Sequence, residues 1–311
     1  MRHKAVISEA IGRLRADDIM PLIFKGTALA YRYYGEPARR TRGDTDILVP
    51  TDMFGRSAKA IVSANFDHHE APFGDLISYQ ESFSRDDGHL GVHQIDLHHK
   101  LTNIQLLANA FPYEELRESA IPLPGLHADA LMVGPVHSLL IACFHSVFHS
   151  MEALEIEKIA TLGPERLIWL YDVHLLADAM NEAAWDDFIE TARKKGLCAI
   201  SVRVLVSASR NFRTDLPTSV RVGLDVSGEP AFEYLTAGPL RRSWMELRAV
   251  KGGLDRTRFV IQSFLPPSLF MRRKYAGARV QWLPWLYARR ASEGILRRIR
   301  SLMNSAQKSP N

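Results

Sequence analysis

Asp44-Thr45-Asp46 sets two carboxylates one residue apart at the mouth of an apolar run, Ile47-Leu48-Val49. In an extended strand alternate side chains share a face, so Asp44 and Asp46 point one way and Thr45 the other. Two carboxylates held that close repel each other unless a cation lies between them. The chemistry such a pair offers is a divalent-metal site, for Mg²⁺ or Mn²⁺, built to receive phosphate. A solvated turn is the plain alternative, and the neighbouring residues favour the metal.

Lys25-Gly26 precedes Asp44 at the point where a short apolar run turns into a helical pattern. Backbone N–H groups at such a turn can face a phosphate, helped by the helix dipole. Lys25, with Arg40 or Arg42, supplies positive charge for a polyphosphate. Asp96 shares a strand face with Gln94 and His98 and is placed to join the first two acids. Three acidic ligands on adjacent strands suit two-metal phosphoryl or nucleotidyl transfer, with metals ~3.5–4 Å apart.

The elements that must position these residues are legible in outline. Residues 5–17 have helical periodicity, Pro21–Phe24 reads as a buried strand, and 25–34 as a helix stopped by Gly35 and Pro37. A basic loop, Arg39 to Gly43, leads into a strand at 45–49, and 53–65 reads as a helix. Ile77–Arg85 and His89–Leu101 flank Asp86-Asp87-Gly88 and predict a β-hairpin. Pro122, Pro124 and Gly125 mark a boundary. Beyond it the expected helices are 135–151, 164–181 (started by Gly163-Pro164), 184–195 and 197–212. After Pro217 the pattern blurs. The expected class is α+β: a small mixed sheet with helices over 1–125, a helical domain over 126–215, and a C-terminal extension over 216–311 ending in a basic tail.

Composition narrows the field. The 311 residues are 46% hydrophobic and 24% charged, ordinary for a folded protein long enough for two cores. No run approaches the ~18 apolar residues of a membrane span, and no apolar secretory leader follows Met1. Cys143 and Cys198 read as buried free thiols, which leads us to expect a reducing, cytoplasmic setting. Residues 271–311 hold ten basic side chains against Glu293 alone, so the net charge of +4 belongs to the tail. No dinucleotide-binding glycine motif, P-loop or serine-nucleophile motif occurs.

Phe24-Lys25-Gly26-Thr27-Ala28-Leu29-Ala30, Arg40-x-x-Gly43-Asp44-x-Asp46-Ile47-Leu48-Val49 and Ile95-Asp96-Leu97-His98 together resemble the uncharacterised nucleotidyltransferase group of the polymerase-β-like superfamily. The likeness runs over roughly residues 5–215, with Leu167 to Asp172 and, more loosely, Phe264 to Pro267. It implies metal-dependent transfer of a nucleoside monophosphate from an NTP to a hydroxyl or phosphate acceptor. Asp44, Asp46 and Asp96 would hold Mg²⁺ or Mn²⁺, with Asp96 also receiving the acceptor's proton. Lys25, Gly26 and Thr27 would grip the triphosphate, and Arg40 would neutralise the departing pyrophosphate. The superfamily's phosphate-binding helix commonly starts Gly-Ser or Gly-Gly; here it reads Lys-Gly-Thr. A toxin-type enzyme modifying tRNA or protein, and an inactive nucleotide-binding scaffold, are the alternatives.

His145 and His149 stand one helical turn apart, with His137 two turns earlier. Zinc is conceivable at that spacing, but no H-E-x-x-H pattern accompanies it, so histidines lining a cleft are the simpler expectation. His98 shares its strand face with Asp96 and is a candidate for a place near the metal or acceptor. Asp172, inside an apolar helix, should meet a buried partner. The tail at 271–303 interleaves arginine with Trp282, Trp285 and Tyr287, which suits packing on the helices or peripheral contact with an anionic membrane; nucleic acid is less favoured.

Overall fold

The computed structural model describes residues 2–69, 73–88, 91–157, 166–224, 228–278, 280 and 282–306. Two compact units are present: residues 1–69 with 79–246, and residues 70–78 with 247–311.

The first unit is α+β. Its opening helix α1 (Arg2–Ala16) buries Val6, Ile7, Ala10, Ile11 and Leu14 along one stripe. Strand β1 (Leu22–Phe24) is buried throughout. Lys25, at φ +54, bends the chain from β1 into α2 (Lys25–Arg32). β2 (Asp44–Leu48), α3 (Phe54–Ser63) and the short β3 (Asp67–His69) follow. β4 (Gln80–Asp86) and β5 (Val92–His98) form the expected hairpin. Its outer ends fall short of the expected 77 and 101, and at the turn Gly88 and Gly91 take positive φ, +65° and +92°.

The sequence reading contained neither β3 nor α4 (Tyr113–Glu118) nor the two-residue strands β6 (Ile121–Pro122) and β7 (Leu131–Met132). They complete a seven-stranded mixed sheet in the order β3-β4-β5-β2-β1-β7-β6. β2 is central, antiparallel to β1 and parallel to β5. β7 lies parallel to β1, so the sheet extends past the proline-marked segment.

Four longer helices, α5 (Pro135–Glu157), α6 (Leu167–Asp178), α7 (Glu182–Lys195) and α8 (Cys198–Phe212), pack together and onto the sheet side. α5 runs past its expected end, and the Gly163-Pro164 start expected for α6 lies outside the described residues. Cys143 and Cys198 are buried free thiols, as expected. The blurred stretch after Pro217 consists of short helices: α9 (Thr218–Gly223), α10 (Pro230–Thr236) and α11 (Pro239–Ala249).

The second unit contains α12 (Gly253–Phe264), α13 (Ser268–Lys274) and α14 (Leu283–Ala306). Its small core is Met271, Tyr275 and Leu286. Asp75 is held by Arg258 at 2.8 Å and Gln262 at 2.7 Å. The tail's arginine–aromatic interleaving is partly used internally: the Arg289 guanidinium lies over Tyr275 and Trp285 and pairs with Glu293. Among the described residues no helix is long and apolar enough to cross a membrane.

Candidate active site

Strand alternation does the first part of the positioning. Asp44 and Asp46 both line one cavity of about 530 Å³, while Thr45 turns to the opposite face and is fully buried. The Thr45 hydroxyl shares a hydrogen bond with Thr27 Oγ1 at 2.9 Å, and Thr27 also donates to the Asp44 carbonyl at 3.3 Å. The Thr27 hydroxyl expected at the triphosphate is thus engaged inside the fold, tying α2 to β2. Any contact Thr27 makes with phosphate falls to its backbone N–H, one of the first-turn donors that a helix leaves without an intrahelical acceptor.

Register does the second part. In the parallel β2–β5 ladder Asp46 stands opposite Asp96, and Leu48 opposite His98. Asp96 therefore reaches the same cavity, where its Oδ1 accepts a hydrogen bond from Ser82 Oγ on β4 at 2.7 Å. His98, two residues on, places Nε2 3.1 Å from Asp46 Oδ1 and packs its ring edge-on against Phe24. Ligand atoms of Asp46, Asp96 and His98 lie within 4.8 Å of one another. Asp44 lines the cavity just outside this trio. The three acids expected to converge do share one cavity, and His98 joins them more intimately than Asp44 does.

Lys25 closes the group from the strand–helix bend, its Nζ 2.7 Å from the same Asp46 oxygen. Burial alone would raise the Asp46 pKa, but the Lys25 ammonium and the His98 ring outweigh it and hold the carboxyl well below the usual carboxylate range. Asp44 has the opposite fate: burial, then the charges of Asp46 and Asp96, raise its pKa. Two neighbouring carboxylates are thus pushed in opposite directions, as at sites built for charge.

The sign of the Asp46 shift gives a prediction. A carboxyl whose folded pKa lies below its unfolded value contributes stability that is present at neutral pH and lost as pH falls through the carboxylate range and below. Asp46→Asn should therefore flatten the acid limb of Tm against pH, leaving the slope above about pH 6 unchanged. Superimposable acid limbs for variant and parent would contradict this.

Arg40 lines the cavity with a committed guanidinium. Asp172 on α6 takes its Nε at 2.9 Å and its Nη2 at 2.7 Å, and Tyr34 adds a hydrogen bond to Asp172 at 2.8 Å. The buried partner expected for Asp172 is thus Arg40. Burial raises the Asp172 pKa against the pull of Arg40 and Tyr34. Gly26 faces the same loop: a Cβ there would lie 3.6 Å from Arg40 Nη2 and 3.7 Å from the Arg42 Cβ. Its missing side chain keeps that space open beside the bend.

The remaining wall comes from Ser138, Ile141, Ala142 and His145 of α5, with Ile168 and Trp169 of α6 and the preceding Arg166. His145 stands edge-on to Trp169 with centroids 4.9 Å apart. His137 is elsewhere, bonded to Glu115 and Ser119, so it does not form a metal group with His145. The side chain of His149 lies outside the described residues. Trp169 fell within the Leu167–Asp172 stretch that carries the family likeness, without a site role of its own, and Arg166 carried no sequence signal.

The donor set tests the implied metal. Carboxylate oxygens suit Mg²⁺ and Mn²⁺, while thiolate and all-imidazole sets suit softer ions. Carboxylates with one imidazole nearby, in a cavity of mixed charge, fit a hard divalent cation.

A search of curated proteins found no match. Among solved structures the chain is similar to the antibiotic-resistance factor ANT(2'')-Ia at 11% identity and a TM-score of 0.40, over 62% of this chain and 91% of that one. It is similar also to an antigenic nucleotidyltransferase-like protein from Paracoccidioides brasiliensis, at 13% identity and a TM-score of 0.35, over 68% and 96%. The family model described as uncharacterised nucleotidyltransferase matches residues 1–213. With the acids, the bend and the sheet that model spans in place, the chain belongs to the uncharacterised nucleotidyltransferase family.

Proposed function

We propose that the cavity transfers a nucleoside monophosphate from an NTP to a hydroxyl or phosphate acceptor, with divalent metal bound at Asp44, Asp46 and Asp96. The observation that carries this reading is the β2–β5 register, which sets Asp46 against Asp96 beside the Lys25 bend, with Asp44 in the same cavity. Mg²⁺ or Mn²⁺ held there would supply Lewis-acid stabilisation of the phosphate oxygens. Lys25 and the backbone amides of Gly26 and Thr27 bind the triphosphate at the N-terminus of α2. Arg40, its charge paired with Asp172, is held rigid at the cavity wall and offers the departing pyrophosphate guanidinium N–H donors, not an unpaired charge.

In the reaction the acceptor oxygen forms a bond to the α-phosphorus. The bond from that phosphorus to the bridging oxygen breaks, and pyrophosphate leaves with the electron pair. The proton of a hydroxyl acceptor passes to Asp96, directly or through water. His98 stays as a positioning residue, its ring braced by Phe24 and its Nε2 orienting Asp46.

The position of a radiolabel tests the reading. With a cell extract as acceptor source and Mg²⁺ present, label from α-phosphate NTP should appear in product, and label from γ-phosphate only in pyrophosphate. Label transferred from the γ position instead would make the protein a phosphotransferase and overturn the proposal.

A further inference from the structure

The cavity's charges are unevenly distributed. Three lining carboxylates, Asp44, Asp46 and Asp96, stand on the sheet. The fourth, Asp172 on the helical wall, is neutralised by Arg40 at 2.7 Å and hydrogen-bonded by Tyr34 at 2.8 Å. Among the lining cations Lys25 pairs with Asp46 and Arg40 with Asp172, while Arg42, on the loop before β2, is bonded to the Pro37 and Arg40 carbonyls and to His3. Arg166 has no carboxylate partner among the described residues: its exposed guanidinium lies 5.1 Å from the Trp169 ring centroid. Ile168 and, from α5, Ile141 and Ala142 continue the surface beside Trp169. Among the described residues, the helical wall thus carries an apolar strip beside Ser138 and His145, with a cation at its edge and no unpaired carboxylate.

Charge complementarity selects the molecule for that wall. A cationic acceptor would find carboxylates only where metal and triphosphate are bound, and Arg166 would repel it. An anionic one would meet a guanidinium whose fork geometry matches carboxylate or phosphate. With the triphosphate at the sheet-side bend, we propose that Arg166 and the strip around Trp169 form the subsite for an anionic acceptor. Its chemical class is a small molecule bearing a carboxylate or phosphate on a planar or apolar body. Calling that molecule the acceptor rests on the nucleotidyl-transfer reading above; the anion subsite itself does not.

A matched set of phenols separates charge from shape: 4-hydroxyphenylacetate is anionic, 4-hydroxyphenylethanol neutral and tyramine cationic. The full-length protein is titrated with each by calorimetry, with Mg²⁺ and with non-hydrolysable analogues of the four common NTPs. The anionic phenol should bind about tenfold or more tightly than tyramine, the worth of one charge-assisted hydrogen bond. Arg166→Gln should remove most of that preference, Arg166→Lys should restore part of it, and nucleotide-analogue affinity should stay within about twofold. Tyramine binding as well as the anionic phenol overturns the proposal, as does binding by none of the three. A loss of analogue affinity in Arg166→Gln, with phenol binding unchanged, would give Arg166 to the nucleotide and overturn it too. If no analogue binds the wild type while the charge preference and its Arg166 dependence persist, the subsite stands and the nucleotidyl-transfer reading falls.

Discussion

Asp46→Asn and Asp96→Asn are each expected to lower nucleotidyl transfer by on the order of 10³-fold or more, since metal stabilisation of developing charge is worth several kcal/mol and each 1.36 kcal/mol is tenfold. The two side chains face each other across the β2–β5 ladder, so each substitution removes one anionic ligand from the same place. Asparagine keeps the size of aspartate and still offers a carbonyl oxygen to Lys25 or to Ser82, so the fold should survive both changes. Asp44→Asn should be less severe than Asp46→Asn, because Asp44 lies outside the close group of Asp46, Asp96 and His98. The measurement is initial rate of pyrophosphate release at saturating Mg²⁺, with circular dichroism confirming the fold. Near-parental rates in either Asp46→Asn or Asp96→Asn would remove that residue from the metal site.

The second large effect is on stability. Asp172→Ala leaves the Arg40 guanidinium, only 7% exposed, without its carboxylate. Breaking a buried pair in that way costs about 3–5 kcal/mol, because an uncompensated charge stays in low dielectric. For a unit of this size the loss corresponds to a fall in Tm of roughly 10 °C. The intact pair is a different matter. Burial raises the Asp172 pKa despite Arg40 and Tyr34, so at neutral pH desolvation of the carboxylate offsets much of the attraction. It follows that replacing both partners by apolar residues, Arg40→Met with Asp172→Leu, should recover most of the lost stability while lowering activity. Differential scanning calorimetry of the single and double variants checks this. A double variant as unstable as Asp172→Ala would show that the pair itself, and not the orphaned charge, carries the effect.

What was legible in the chain follows from which physical signals are local. The period-two alternation of Asp44-Thr45-Asp46 and of Gln94, Asp96 and His98 fixes which side chains share a face, and Asp44, Asp46 and Asp96 meet in one cavity. The helices at α5 to α8 were visible from apolar periodicity, although their ends moved. Strands of two residues, such as β6 and β7, are too short to show any period and exist only through pairing with β1 and with each other. Register was equally invisible: that Asp46, and not Asp44, meets Asp96, Lys25 and His98 is decided by how three strands align. The Arg40–Asp172 pair spans 132 residues, and the Thr27–Thr45 bond is a tertiary contact. Both changed the roles read from the motif, because a side chain's partner depends on packing that spacing alone does not encode. Arg166 and Trp169 became a feature only when the start of α6 placed them in the wall of the cavity that the acids line.

The most direct test of the central claim is anomalous diffraction from crystals grown with Mn²⁺ and a non-hydrolysable NTP analogue. An anomalous peak is expected in contact with the carboxylates of Asp46 and Asp96, with Asp44 in the same shell and the phosphates running to the Lys25-Gly26 bend. A nucleotide bound with its phosphates away from that bend, or Mn²⁺ lodged elsewhere with these three aspartates uncoordinated, would contradict it.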